Sequence, residues 1–284
     1  MKAKSVRRGL LLVGFATALS ACTPFAVINL LTPNSGYSIQ RNIAYGPDPR
    51  QALDIYVPDG LTKPAPVVLF FYGGSWENGK KSGYKAFGQA MASRGIIAVI
   101  ADYRLYPQVT YPAFVEDGAA AFHLIQGEIA RHGGDPKRIF LAGHSAGGYI
   151  AVMLGSDPHY LKDAHADIGQ VAGIIGIAGP YDFLPLTDPT LIRIFHGANN
   201  EAAMPIHYID GVRPPMLLVT GSADETVAPS NAARMAARLR SRGSAVQEIV
   251  YPDIGHIGII LSFVPGFRDK TTLPDDMAKF ISAH

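Results

Sequence analysis

The segment from Gly143 to Gly148, with Ser145 at its centre, constrains the fold more than any other part of the chain. It follows an apolar run, 138–142, that predicts a buried strand, and it precedes residues 149–154, which have helical composition. A serine at such a turn takes a positive φ, and its neighbours need almost no side chain because strand and helix approach each other closely. The pattern predicts a nucleophilic serine; the alternative is a glycine-rich turn without chemistry.

The charge and the cysteine content exclude some classes of protein and of metal site. The 284 residues are 48% hydrophobic, which suits one large α/β domain or two small ones. The formal net charge is +2, but residues 1–21 hold four cationic side chains and no acid, so 2 − 4 leaves −2 for the remainder. That remainder lacks the basic excess of a nucleic-acid-binding protein. The single cysteine, Cys22, excludes an internal disulfide and a cysteine-based metal site.

The amino terminus has the pattern of an export signal. A positive stretch, residues 2–8, precedes an apolar stretch, residues 9–21, of signal-peptide length. The sequence Leu-Ser-Ala-Cys that ends at Cys22 resembles the lipobox of bacterial lipoproteins, in which the cysteine is lipidated and becomes the first residue. Residues 1–21 are therefore predicted to be a signal peptide, and residues 22–36 a lipidated cysteine and tether.

This interpretation predicts an exported lipoprotein, anchored through Cys22 to the bacterial outer membrane or cell envelope. Two alternatives remain open at this point. A signal peptidase could cleave nearby without lipidation, or the apolar run could continue to Leu31 as an uncleaved membrane anchor. Thr23 and Pro24 would interrupt such a helix.

Strand and helix patterns alternate along residues 37–284, which are predicted to form one domain. Two alternating stretches, 38–45 and 52–57, predict an antiparallel pair at a sheet edge. Six further strands are expected at 67–71, 96–101, 138–142, 171–178, 216–220 and 246–251, and helices at 84–93, 112–131, 149–154, 229–240 and 273–282. The predicted fold is a mostly parallel, eight-stranded α/β sheet with helices on both faces. Residues 156–170 and 181–213 fit no strand and are expected to form short lid insertions.

A serine hydroxyl needs a base, and the base needs an orienting acid. Asp224 and His256 each come just after a predicted strand, and the carboxyl ends of parallel strands meet at one edge of a sheet. The order Ser145, Asp224, His256 is that of α/β-hydrolases. Asp182 is an alternative acid, and Asp224 has the alternative role of an Asx turn. The other histidines are assigned no catalytic role; they are His123, His132, His144, His159, His165, His196, His207 and His284.

From about Leu53 to His256 the chain resembles the esterase/lipase group of α/β-hydrolases related to hormone-sensitive lipase and to kynurenine formamidase-like esterases. The resemblance rests on the segments 71–76, 102–107, 111–113, 116–117, 134–136 and the turn around Ser145. It implies an oxyanion hole formed by the backbone N–H groups of Gly73, Gly74 and Ala146. The group carries a histidine before the two glycines, where this chain has Tyr72.

Together these features predict a serine carboxylesterase that hydrolyses short-acyl esters through an acyl-enzyme and uses no cofactor or metal. An amidase, formamidase or peptidase on the same triad is one alternative, and a noncatalytic ligand-binding surface lipoprotein is another. Three rings, Trp76, Tyr181 and Phe183, are expected to shorten the acyl pocket. An ion pair between Arg104 and Asp117 is a further hypothesis.

Overall fold

The structure is a computed structural model that describes residue 29 and residues 31–284. Cys22, the predicted signal peptide and the first part of the predicted tether lie outside the described residues. Within them, no helix is both long enough and apolar enough to cross a membrane.

Within residues 31–284, eight strands form one sheet, as the sequence predicts. They are β1 Tyr37–Ala44, β2 Ala52–Pro58, β3 Ala65–Phe71, β4 Ile97–Ala101, β5 Gly134–His144, β6 Val171–Ile177, β7 Met216–Gly221 and β8 Val246–Tyr251. The strand order is β1-β2-β4-β3-β5-β6-β7-β8. Strand β2 pairs antiparallel with β1 and with β4, and the pairs from β4 to β8 are all parallel. The carboxyl ends of β3 to β8 therefore share one edge, called here the catalytic edge.

Eight helices accompany the sheet between residues 85 and 283. They are α1 Lys85–Ala92, α2 Ala113–Glu128, α3 Ala146–Ser156, α4 Pro158–Asp163, α5 Pro189–Ile194, α6 Ser230–Ser241, α7 His256–Leu261 and α8 Leu273–Ala283. The predicted helices are all present. The short α4, α5 and α7 lie in segments for which the sequence predicts no helix.

Two neighbouring phenylalanines show that helices cover both faces of the sheet. Successive side chains of a strand point to opposite faces. The ring of Phe70 stacks on Phe87 of α1, with centroids 3.9 Å apart. The ring of Phe71 lies instead against α2, since a Cβ at Gly118 would come within 3.3 Å of it. The central strands β3 and β4 are consequently buried on both sides, which explains their unbroken apolar sequences.

Residues 156–170, one of the two expected lid insertions, follow a helix rather than a strand. Helix α3 starts at the catalytic edge and runs back along the sheet for eleven residues, or about 16 Å. The segment then enters β6 at Val171, which pairs with Ile139 in the middle of β5. Residues 156–170 therefore do not follow the carboxyl end of a strand, as the prediction assumed. Residues 181–213 follow β6 directly, and part of them does reach the site described next.

Candidate active site

Ser145 lies at the sharp turn between β5 and α3. It has φ 55° and ψ −122°, a strained conformation for a residue with a side chain. A Cβ at Gly143 would lie 2.1 Å from the carbonyl oxygen of Gly147, and a Cβ at Gly147 would lie 2.0 Å from that of Phe71. Both positions require glycine because backbone atoms occupy the space. The predicted strand, turn and helix around the serine are confirmed.

The structure brings Asp224 and His256 together next to Ser145. Asp224 follows the end of β7, and His256 is the first residue of α7. The His256 Nδ1 atom lies 2.8 Å from Asp224 Oδ2, and the Asp224 side chain is fully buried. Ser145 and His256 line the same cavity, which leaves the Nε2 atom of His256 as the ring nitrogen free of the carboxylate. The arrangement suits a base whose tautomer is fixed by an acid.

Asp224 also forms the Asx turn considered as its alternative role. Its Oδ1 atom accepts hydrogen bonds from the backbone N–H groups of Thr226 and Val227, at 3.0 and 2.9 Å. One carboxylate oxygen thus holds the loop while the other holds the histidine. Asp182 is paired elsewhere: Arg234 Nε donates to Asp182 Oδ2 at 2.6 Å. The geometry favours Asp224 as the partner of His256.

The two glycines after Tyr72 pass directly over the serine. A Cβ at Gly73 would lie 2.9 Å from the Cβ of Ser145, and a Cβ at Gly74 would lie 2.1 Å from the carbonyl oxygen of Asn78. Gly74 has φ 140°, which a side chain would strain. Both glycines line the cavity that contains Ser145. Their backbone, with the first turn of α3 at Ala146, is where an oxyanion hole is expected.

Tyr72, the residue before the two glycines, anchors this loop through hydrogen bonds of its buried side chain. Its hydroxyl donates to Asp102 Oδ1 at 2.8 Å and accepts from Arg50 Nη2 at 2.7 Å, and its ring stacks on Tyr103 at 4.8 Å. The Tyr103 hydroxyl donates to the Tyr72 carbonyl oxygen at 2.7 Å. Burial raises the pKa of Tyr72 well above its usual range, so the hydroxyl stays protonated. The loop is therefore held by a buried tyrosine network where the related group has a histidine.

The hypothetical ion pair between Arg104 and Asp117 is confirmed. Arg104 Nη2 lies 2.6 Å from Asp117 Oδ1, and the carboxylate is buried with 1% exposure. The Arg104 backbone N–H and Gln51 Nε2 also donate to Asp117, at 2.8 and 2.7 Å. These contacts tie the segment after β4 to helix α2. Asp117 lines neither of the cavities beside Ser145.

His144 contacts the backbone of His256, although the sequence indicates no role for it at the site. Its Nε2 atom lies 3.1 Å from the backbone oxygen of His256, and the two rings are 4.8 Å apart. Burial, with a smaller contribution from His256, lowers the pKa of His144 to about 3. The ring is therefore neutral, and its Nε2–H donates to the carbonyl oxygen, while Nδ1 is buried without a partner. No local pattern reveals this contact, because the two residues are 112 positions apart.

Two cavities flank Ser145. The first, of about 520 Å³, is lined mainly by apolar residues of α1 and α7 and by residues 263 and 264, together with Gly73, Gly74, His144 and His256. The second, of about 400 Å³, is lined by the aromatic residues Trp76 and Phe183 and by the polar residues Asp182, Asn231 and Arg234, among others. Tyr181, predicted to line a pocket, is instead fully buried. Residues 156–170 line neither cavity.

The described part of the chain holds no cluster of three or more His, Cys, Asp or Glu side chains suited to a metal ion.

Comparison with curated proteins finds esterases. The chain is 30% identical over 247 residues to a probable isoprenylcysteine alpha-carbonyl methylesterase of Arabidopsis thaliana, covering 78% of this chain and 52% of that protein. It is also 30% identical to Esterase LipC of Mycobacterium tuberculosis, covering 78% of this chain and 60% of LipC. The chain thus spans little more than half the length of these relatives.

Solved structures share the fold. Esterase B from Lactobacillus rhamnosis superposes with a TM-score of 0.77 over 96% of this chain and 94% of its own, at 16% identity. The predicted α/β-hydrolase fold is confirmed. The profile of the BD-FAE family matches residues 53–239, which is more than half of the chain and includes Gly73, Gly74, Ser145 and Asp224. The chain therefore belongs to the BD-FAE family.

Proposed function

We propose that this protein is a carboxylic ester hydrolase in which Ser145 is the nucleophile, His256 the general base and Asp224 the orienting acid. The observation that carries the proposal is the 2.8 Å contact between His256 Nδ1 and the buried carboxylate of Asp224, beside a serine on a strained turn. The esterase names of the relatives support ester chemistry over amide chemistry at this site.

In the proposed reaction, the Ser145 hydroxyl attacks the ester carbonyl carbon while His256 Nε2 takes its proton. Asp224 accepts the Nδ1–H of His256, so that Nε2 is the basic nitrogen in the resting enzyme and the imidazolium is stabilised once formed. The imidazolium then protonates the leaving alcohol, and a water molecule hydrolyses the acyl-enzyme by the same steps.

The backbone N–H groups of Gly73, Gly74 and Ala146 are proposed to hold the developing oxyanion. Two observations support this role. The glycine loop lies against the Ser145 Cβ, and Tyr72 and Tyr103 fix the backbone from the buried side. Donors that are already in place when the charge develops need no reorganisation, which is why such sites contribute strongly to the rate. No cofactor is required in this scheme.

The preferred acyl groups are proposed to be short, from acetyl to about hexanoyl. In support, the rings of Trp76 and Phe183 lie 6.4 Å apart in a stacked pair beside the serine, and both line the second cavity. Measurement of kcat/KM across p-nitrophenyl acetate, butyrate, octanoate and palmitate tests this. A maximum at palmitate would contradict it.

The protein is also proposed to be an exported lipoprotein anchored through Cys22. The lipobox pattern supports this, and Asn29, seven residues later, is fixed to the domain by a hydrogen bond to the Ser82 carbonyl oxygen at 2.8 Å. A lipid on Cys22 would thus stay within about 25 Å of the domain. Labelled palmitate should enter the wild-type protein in a bacterial host and not Cys22→Ser. Equal labelling of both proteins would contradict the anchor.

The decisive variant for the ester hydrolase is Ser145→Ala. Its kcat on p-nitrophenyl acetate should fall by about 10⁶-fold, because loss of the nucleophile removes the whole acyl-enzyme route. Circular dichroism and the melting temperature serve as controls for folding. A folded variant that retains wild-type activity would overturn the assignment.

A further inference from the structure

The two cavities beside Ser145 differ in their relation to the base. Ser145 lines both, but His256 lines only the first. If the proposed function holds, the carbonyl carbon of the ester lies over Ser145, and its acyl and alcohol parts extend to different sides. The position of His256, the proposed base, then determines which cavity holds the alcohol part and which holds the acyl part.

The alcohol oxygen must take a proton from His256 Nε2 when the bond to the acyl carbon breaks, so it must lie within hydrogen-bond reach of that atom. The alcohol part then continues into the first cavity, whose wall contains His256. The acyl part is directed to the second cavity, which adjoins Ala146 and Trp76 and lacks the histidine.

The first cavity suits a large apolar group. Residues that line it include Phe87, Ile260, Leu261, Phe263 and Val264, and none of the described Asp, Glu, Lys or Arg residues lines it. Its volume of about 520 Å³ exceeds the 400 Å³ or so of the second cavity. Ile257, which also lines it, is 61% exposed and extends the apolar surface outward. A small or charged alcohol would leave this surface unfilled.

The second cavity suits a short acyl group. The aromatic pair of Trp76 and Phe183 lines it, together with Leu191. Polar groups also line it: Arg234 is ion-paired with Asp182, and the side-chain Oδ1 atom of Asn231 accepts from the backbone N–H groups of residues 181 and 182, both at 3.0 Å. A long alkyl chain directed here would have to bury part of its length against an ion pair, which is unfavourable.

We propose that the preferred substrates join a short acid to a bulky apolar alcohol, with the alcohol in the first cavity and the acyl group in the second. In the acylation step a bond forms between Ser145 Oγ and the acyl carbon, and the bond from that carbon to the alcohol oxygen breaks. The serine proton passes through His256 Nε2 to the alcohol oxygen. Water then supplies the hydroxyl that releases the short acid.

A pair of isomeric esters tests the proposal. Octyl acetate and ethyl octanoate have the same formula and both release a primary alcohol, so overall hydrophobicity and leaving-group acidity are matched. Acid release is followed by pH-stat titration. The ratio of kcat/KM for octyl acetate to that for ethyl octanoate should be at least about tenfold. A ratio below one would overturn the proposal and place the large group on the acyl side.

Two variants assign the cavities. Ile260→Trp fills part of the first cavity, so it should lower kcat/KM for octyl acetate relative to ethyl acetate. Leu191→Trp fills part of the second cavity, so it should lower kcat/KM for ethyl butyrate relative to ethyl acetate. If Ile260→Trp fails to fold, Leu261→Trp fills the same wall. Exchanged effects of the two variants would overturn the assignment. If no ester is hydrolysed and no fluorophosphonate is bound, the proposed function itself fails; an active enzyme with the reverse preference refutes only this inference.

Discussion

Ser145 and His256 face the same cavity, but different parts of the molecule hold them there. Ser145 is enclosed by backbone: its N–H donates to the Ile177 carbonyl oxygen at 2.9 Å, and Gly143 and Gly147 leave no room for a Cβ. His256 begins a helix of six residues and is oriented through the side chains of Asp224 and His144. The nucleophile is thus positioned by the sheet, and the base by a few side-chain contacts.

This difference separates two kinds of substitution. Changes around Ser145 alter backbone packing between β3, β5 and α3, so they should reduce the stability of the whole domain. Changes around His256 alter the orientation of one ring, so they should reduce turnover while the domain stays folded.

On the histidine side, Asp224→Asn should lower kcat for p-nitrophenyl acetate by about 10⁴-fold, because an amide favours the wrong histidine tautomer. The matched control is Asp182→Asn, which removes a carboxylate from the neighbouring loop. It should cost little activity, since Asp182 pairs with a partly exposed Arg234 instead of the histidine. Thermal melting should show both variants folded. The reverse ranking of the two variants would move the acid to the loop after β6.

On the serine side, Gly147→Ala should reduce the free energy of unfolding by about 1–3 kcal/mol or more, because the new Cβ collides with the Phe71 carbonyl oxygen. Gly258→Ala in α7 is the matched control. There the new Cβ meets nothing closer than Ile254 Cγ2 at 3.5 Å, and alanine gains up to about 1 kcal/mol of helix propensity. Urea denaturation compares the two. Equal destabilisation would remove the contrast between the two regions.

His144 lies next to Ser145 in the chain and contacts the backbone of His256. Because its ring is buried, the stability of the protein should depend on pH. Its pKa is lowered from 6.5 to about 3 in the folded protein, so below pH 6.5 the unfolded chain binds a proton that the folded chain excludes. The free energy of unfolding should therefore decrease as the pH is lowered from about 6.5 to about 3, by up to about 1.4 kcal/mol per pH unit. His144→Gln should flatten this slope. Urea denaturation at several pH values measures it, and an unchanged slope in the variant would exclude His144 as the cause.

The smallest effect is expected for Tyr72→Phe, which keeps the stacked ring and removes the hydroxyl. The bonds to Asp102 and Arg50 disappear, at a cost of roughly 1 kcal/mol each in unfolding free energy. Activity should change little, because the Tyr103 hydroxyl still holds the Tyr72 carbonyl oxygen. A large loss of kcat with unchanged stability would show that the tyrosine acts on the oxyanion hole more directly than the contacts indicate.

The site residues that could be predicted are those whose position follows from local backbone requirements. Gly143 and Gly147 reveal the turn because no other residue fits, and Asp224 and His256 follow strands whose ends share one edge. Residues 156–170 were expected to follow a strand, but α3 separates them from β5, and they line neither cavity beside Ser145. The His144 contact and the walls of the first cavity depend on α7 folding back over the turn, which no local pattern encodes.

The most direct test of the central claim is to map where a fluorophosphonate attaches to the native protein. Peptide mass spectrometry after brief labelling should find one adduct, on the peptide that contains Ser145. Asp224→Asn should be labelled far more slowly, and folded Ser145→Ala should not be labelled. An adduct on another residue, or equal labelling of Ser145→Ala, would contradict the assignment of Ser145, His256 and Asp224 as the catalytic residues.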